Sequence, residues 1–171
     1  MQPEYITPFI SSIQNVFGTM LQLPVQIGEP SIKNSPTTSY DVSGIIGMSG
    51  DVTGSVVLSF PLEAAERMVS LFCGMELPSD SPDFPDAIGE LVNMVSGGAK
   101  AQFDGKTVSI TTPSVVIGAN HRINVPSDTP VIVIPCQTDC GEVALEIAIK
   151  ESPVAASADA GATDAAAQAS N

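Results

Sequence analysis

An α+β domain, with an antiparallel-dominated sheet and helices packed against it, is the fold class this 171-residue chain predicts. Three observations carry that expectation. Two stretches, 7–21 and 86–100, repeat apolar residues at helical spacing. Two β-rich runs, 43–60 and 130–149, fold back on reversals built from Gly and Asp. A weak internal echo sets helix 86–98 on the first helix, with Asn93 over Asn15, and strand "GEVALEI" on "GSVVLSF", with Gly141 over Gly54. Both halves then read helix, then hairpin, which predicts a degenerate duplication in which two helices share one sheet.

The elements follow in chain order. In "TPFISSIQNVFGTML", Thr7 suits a cap and Pro8 the first helical position, with an apolar stripe of Phe9, Ile13, Val16, Phe17 and Met20. Pro24 ends that helix, and residues 24–40 read as a loose strand with loops. "SGIIGMSG", a "GDVTG" turn and "SVVLSF" form the first hairpin. "PLEAAERMVSLFCG" is a helix with Pro61 at its start and Gly74 past its end. An acidic, Pro-rich loop, 76–85, follows, and its Asp83 is placed to cap the next helix. "KTVSITTPSVVIG" supplies one or two strands, "ANHRINVPSD" a turn-rich loop, and "PVIVIPCQTDCGEVALEIAI" the second hairpin. We expect one domain over 1–151. From Ser152 the last twenty residues hold nine Ala, no cation and no apolar stripe, so 152–171 is expected to be a disordered tail.

Composition narrows the partners. Six Lys+Arg face nineteen Asp+Glu, a formal net charge of −13 that repels nucleic acid and anionic membrane surfaces. No window approaches the roughly 18–20 apolar residues of a membrane span, and the start lacks a basic leader, so a cytoplasmic protein is expected. Three cysteines, Cys73, Cys136 and Cys140, suit reduced thiols, and with one His they fall short of the roughly four ligands of a closed zinc site. Aromatic residues are 5% of the chain and Trp is absent, so Val, Ile, Leu, Met and Ala must fill the core.

The stretch "DAIGELVNMVSGGAK" poses the functional question. At about 100° per residue, Ile88, Leu91, Val92, Val95 and Ala99 share a core face, while Asp86, Glu90, Asn93, Gly97 and Lys100 form an opposite ridge. Glu90 and Asn93 stand one turn apart on that ridge. Gly97 continues it without a side chain and Gly98 lies beside it, although each glycine costs a helix interior about 0.8–1 kcal/mol. Bare backbone there admits close approach by another surface.

This run, preceded by "SGIIGMSGDVTGSVVLSFPLEAAERMVSLFCGMEL" and followed by "TPSVVIG", resembles the CheX family of chemotaxis phosphatases, relatives of CheC and FliY, over roughly residues 4–150. The resemblance implies a CheC-like two-layer fold and hydrolysis of the aspartyl phosphate on a CheY-like receiver domain. By that resemblance Asn93 orients the attacking water and Glu90 docks to the receiver's Lys, with Asp86, Gly97 and Lys100 on the partner surface. It implies no cofactor in this chain, Mg²⁺ on the receiver, and a homodimer. A non-catalytic receiver-binding or adaptor module is the competing expectation. In the first helix Asn15 is present but Ser12 occupies the place of the Glu, so a single working site is expected.

The remaining candidates point to structure. "SGGAK" lacks the first Gly and final Ser/Thr of a phosphate loop, and "GMSGD" lacks the second Gly of a nucleophile elbow. His121 is expected at the surface, and Met48, Met68 and Met94 in the core. The acids of 76–86 read as a solvated loop that could also steer a cationic patch on a receiver.

Overall fold

The computed structural model describes residues 3–153, and most of the expected tail lies outside the described residues. In order they form α1 (Pro3–Val16), a π-helical turn (Phe17–Leu21), β1 (Gln26–Ile27), β2 (Ser31–Ile32), β3 (Val42–Gly50), β4 (Val52–Phe60), α2 (Leu62–Cys73), α3 (Asp83–Lys100), β5 (Val108–Ile110), β6 (Ser114–Ile117), β7 (Ile132–Thr138) and β8 (Gly141–Glu151). The eight strands make one sheet of order β1-β7-β8-β4-β3-β5, with β2 also on β7 and β6 also on β3. Every pairing is antiparallel. The α+β expectation holds.

The internal echo has a geometric counterpart. Setting Gly54 on Gly141 sets Leu58 on Leu145, and those two leucines stand opposite each other in the central β4–β8 ladder. Outward from that pair the sheet reads β3, then β5 and β6, on one side, and β7, then β1 and β2, on the other. Each half lends its two short strands to the hairpin of the other, so neither half closes its own sheet.

Alternation along the strands sends one side chain in two toward the helices. Val42, Ile46 and Met48 of β3, Val56, Leu58 and Phe60 of β4, and Val143, Leu145, Ile147 and Ile149 of β8 join one core with Phe9, Ile13, Phe17, Met68, Phe84, Leu91 and Val95. Burying each large side chain contributes about 1.5–3 kcal/mol. α3 lies over β3 and its neighbours, α1 packs on α3, and α2 contacts β8. Close seating of α3 depends on Gly44 of β3, because a Cβ there would come within 2.9 Å of a methyl of Val92. A side chain at Gly54, whose φ is +142°, would run into the Ala148 carbonyl of the neighbouring strand.

The opposite sheet face is more polar. Ser43, Ser59 and Glu146 are buried there. The Lys33 ammonium lies 2.5 Å from Glu146, whose other oxygen accepts from the Ser39 amide and hydroxyl at 3.2 and 2.8 Å. His121, expected at the surface, is instead half-buried, its ring nitrogens 2.8 Å from Ser43 Oγ and the Gly118 carbonyl. Hydrogen bonding to a buried serine beneath the 118–122 turn draws it in.

Two helix boundaries differ from expectation. α1 begins at Pro3, so Thr7 does not cap it and Pro8 lies inside. Tertiary docking extends the first turns: Tyr5 is buried edge-on against Phe103 and donates its hydroxyl to Glu151. The π turn then rotates the stripe, leaving Met20 exposed and burying Leu21 in its place. Asp83 likewise caps nothing; it sits within the first turn of α3, with Pro82 before it and its own amide donating to Ser81 Oγ at 3.3 Å. There its charge faces the positive end of the helix dipole.

Candidate functional site

The core face of α3 is as expected, with Ile88, Leu91, Val92, Val95 and Ala99 all fully buried. Burying that stripe fixes the rotation of the helix and so turns the opposite ridge outward. Asp86, Glu90 and Lys100 are exposed, and Asn93 and Gly97 half-buried. Among the described residues, neither Glu90 nor Asn93 enters any side-chain hydrogen bond, and none of the four ion pairs includes Glu90. An acid and an amide one turn apart are therefore both uncommitted.

The paired glycines separate in role. A Cβ on Gly97 would meet nothing within 4 Å, so this part of the ridge is open. A Cβ on Gly98 would strike Ser12 Oγ, which is buried and donates to the Val95 carbonyl at 2.7 Å. The close approach expected at Gly98 is thus made by α1 of the same chain. It also explains the first helix: Ser12, in the place a Glu would take, is a helix-crossing contact, while Asn15 is exposed without an acid beside it.

A feature that sequence reasoning missed flanks Glu90. The segment after β5 brings Pro113 against the helix, where a Cβ on Gly89 would lie 3.2 Å from the proline ring. Pro85, Asp86, Gly89 and Glu90 of α3 then line a shallow cleft of about 310 Å³ with Pro113 and Val115. Gly89 carried the signal, since a buried glycine inside a helix marks close packing. The partner in contact was not legible from sequence spacing.

Chemically, the ridge offers an acceptor carboxylate and an amide that both donates and accepts. Its side chains are those of Asp86, Glu90, Asn93 and Lys100, with no thiol, hydroxyl or imidazole among them. Among the described residues no group of three or more His, Cys, Asp or Glu is placed to hold a metal, and no helix is long and apolar enough to cross a membrane. Cys136 is buried, which pushes its thiol up to about 11.

Comparison with known proteins bears on what such a ridge belongs to. The family model described as chemotaxis phosphatase CheX matches residues 42–137, which include the whole of α3. The chain belongs to the CheX family. A relative within it, the CheY-P phosphatase CheX of Thermotoga maritima, is 32% identical over 126 residues, covering 72% of this chain and 81% of that protein. Among solved structures, a CheC-like superfamily protein from Shewanella sp. PV-4 superposes with a TM-score of 0.80 at 34% identity, covering 88% of this chain and 99% of that one. The CheX of the CheX-CheY-BeF3-Mg²⁺ complex from Borrelia burgdorferi is similar at a TM-score of 0.73 and 25% identity, over 86% of this chain and 98% of that one.

Proposed function

We propose that this chain is a phosphatase that hydrolyses the aspartyl phosphate of a CheY-like receiver domain, with Glu90 and Asn93 as the groups that enter the receiver's site. The observation that carries the reading is the pair itself: two uncommitted side chains on one open ridge, in a chain of the CheX family. The CheX-CheY complex among its structural relatives supports a receiver as partner.

The chemistry asks little of this chain. An acyl phosphate is already activated, and the charge of phosphoryl transfer is handled mainly by positioning and by cations. Here those cations are the receiver's own Mg²⁺ and Lys. The Asn93 amide holds a water in line with phosphorus, accepting from it without titrating. Water oxygen bonds to phosphorus as the bond to the aspartyl oxygen breaks, leaving a carboxylate on the receiver and inorganic phosphate. Glu90 meets the receiver's ammonium, since a carboxylate near phosphate is favourable only when paired. Asp86 and Lys100 border the contact, and Gly97 lets the receiver's backbone settle close. A cytoplasmic homodimer is part of the same reading.

Phosphate release from a phosphorylated receiver in excess tests it. Wild type accelerates release over many turnovers, Asn93→Ala abolishes the acceleration, and Glu90→Ala raises KM with a smaller loss of kcat. A chain that binds the receiver without accelerating release would be an adaptor, and the proposal would fail.

A further inference from the structure

The second surface with the marks of recognition lies away from the α3 ridge, on α2. Leu71 and Met75 are 48% and 63% exposed. Beside Leu71, the loop after α2 stands off the helix to form a groove of about 610 Å³, lined by Glu63, Glu66, Leu71, Glu76, Leu77 and Pro78, with half-buried Cys140 also in the wall. The groove is built rather than incidental. Ser70 Oγ accepts from the Leu77 amide at 3.4 Å, Glu66 accepts from the Ser79 amide at 2.9 Å, and the Pro78 carbonyl accepts from the Ser81 amide at 3.0 Å. These bonds hold the loop in a conformation that leaves Leu71 uncovered.

We infer that this groove docks an amphipathic helix of a partner protein, one that carries apolar anchors on one face and cations beside them. Leu71, Leu77, Pro78 and Cys140 give the groove its apolar lining. The α2 wall from Glu63 to Leu71 runs about 12 Å at 1.5 Å per residue, enough length for a docked helix to place two or three anchors at i, i+3 or i+4 and i+7. Charge selects the flanks: Glu63, Glu66 and Glu76 border the groove, Arg67 pairs with Glu63 at 3.7 Å, and among the described residues Glu66 and Glu76 remain without a cation. The same charge argues against the other occupants. A second copy would bring this acidic rim onto itself in a chain of net charge −13, and residues 154–171 contain Asp159 and Asp164 and no Lys or Arg. This inference does not depend on the phosphatase reading.

The test is fluorescence anisotropy on the full chain with a labelled synthetic peptide, leucines at i, i+3, i+4 and i+7 and lysines on its other faces, and a counterpart with glutamates in place of the lysines. Saturable binding of the lysine peptide is expected, with at least roughly tenfold weaker binding to Leu71→Arg and a clear loss with Glu76→Lys, which sits on the exposed loop and leaves the core untouched. Equal binding of the two peptides overturns the inference. So does lysine-peptide binding that survives Leu71→Arg, or no binding at all. Light scattering that shows Leu71→Arg converting a wild-type dimer to monomer would make the groove a self-interface and overturn it as well.

Discussion

Ser12 and Gly98 touch where α1 crosses α3, the serine hydroxyl donating to the Val95 carbonyl over a residue that has no side chain to obstruct it. Gly97, the adjacent residue, faces open space. The two therefore respond oppositely to one added methyl. Gly97→Ala is expected to raise stability by about 0.8–1 kcal/mol through helix propensity, while Gly98→Ala overpacks the crossing and lowers it by roughly 1–3 kcal/mol. Chemical denaturation separates them. Receiver dephosphorylation gives the complementary readout: Gly97→Ala slows turnover despite its greater stability, because the methyl stands where the receiver approaches.

The crossing makes a second prediction about the first helix. By spacing alone, Ser12→Glu completes an acid–amide pair with Asn15. Ser12 is 3% exposed, so the carboxylate would be forced into the α1–α3 interface. Loss of several kcal/mol of stability is expected from an unpaired buried charge, measured as a lowered denaturation midpoint, with no second phosphatase site gained.

One buried hydroxyl on α3 stands out: among the described residues Ser96 Oγ, fully buried, finds no hydrogen-bond partner. Removing the hydroxyl relieves an unsatisfied polar group and improves helix propensity, so Ser96→Ala should leave stability unchanged or raise it by up to about 1 kcal/mol. A clear destabilisation would show that the hydroxyl is bonded in solution.

Much of this was legible in the sequence because a single periodicity decided it. The core face of α3 follows from 3.6-residue spacing, and once Ile88, Leu91 and Val95 are inward, Glu90 is outward. Aligning Gly54 with Gly141 pointed to two halves sharing one sheet, and the structure adds that the aligned residues Leu58 and Leu145 face each other across the β4–β8 ladder. What escaped detection depended on distant contacts. Tyr5 starts α1 early because Phe103 and Glu151 receive it. Ser12 looked like a missing acid and is a packing residue, and Pro113 reaches Gly89 across 24 residues of sequence. Spacing within one element carries no information about which other element will cover it.

The Lys33–Glu146 pair is a costly polar feature to break because both charges are largely buried. The two side chains are 12% and 4% exposed, and Glu146 also holds Ser39, so one carboxylate secures both ends of segment 33–39. Lys33→Ala leaves that charge buried without its cation and should cost about 3–5 kcal/mol. Replacing both partners together, Lys33→Met with Glu146→Leu, should cost much less. Denaturation midpoints of the single and double variants check the difference, and faster proteolysis within 33–39 of the single variant would localise the effect.

Both tyrosines of the chain are shifted above the ordinary phenol range, so both contribute to its behaviour at alkaline pH. Burial pushes Tyr40 up to about 12, aided by its bond to Glu142, which accepts from the phenol at 2.8 Å. Burial also raises Tyr5, reinforced by its bond to Glu151, with Lys106 acting in the opposite direction. A group whose folded pKa exceeds its unfolded value contributes stability fully below the unfolded pKa and loses it as pH rises toward the folded one. The unfolded value is about 10, so the contribution is intact below that pH and declines between about 10 and 12. Phenolate absorbance of the folded protein should therefore lag behind that of the denatured chain across this window, and stability should fall through it. Tyr40→Phe should flatten the fall by removing the more strongly shifted of the two groups. Two phenols titrating together near pH 10 in the folded protein would contradict the burial of Tyr5 and the half-buried, Glu142-bonded placement of Tyr40.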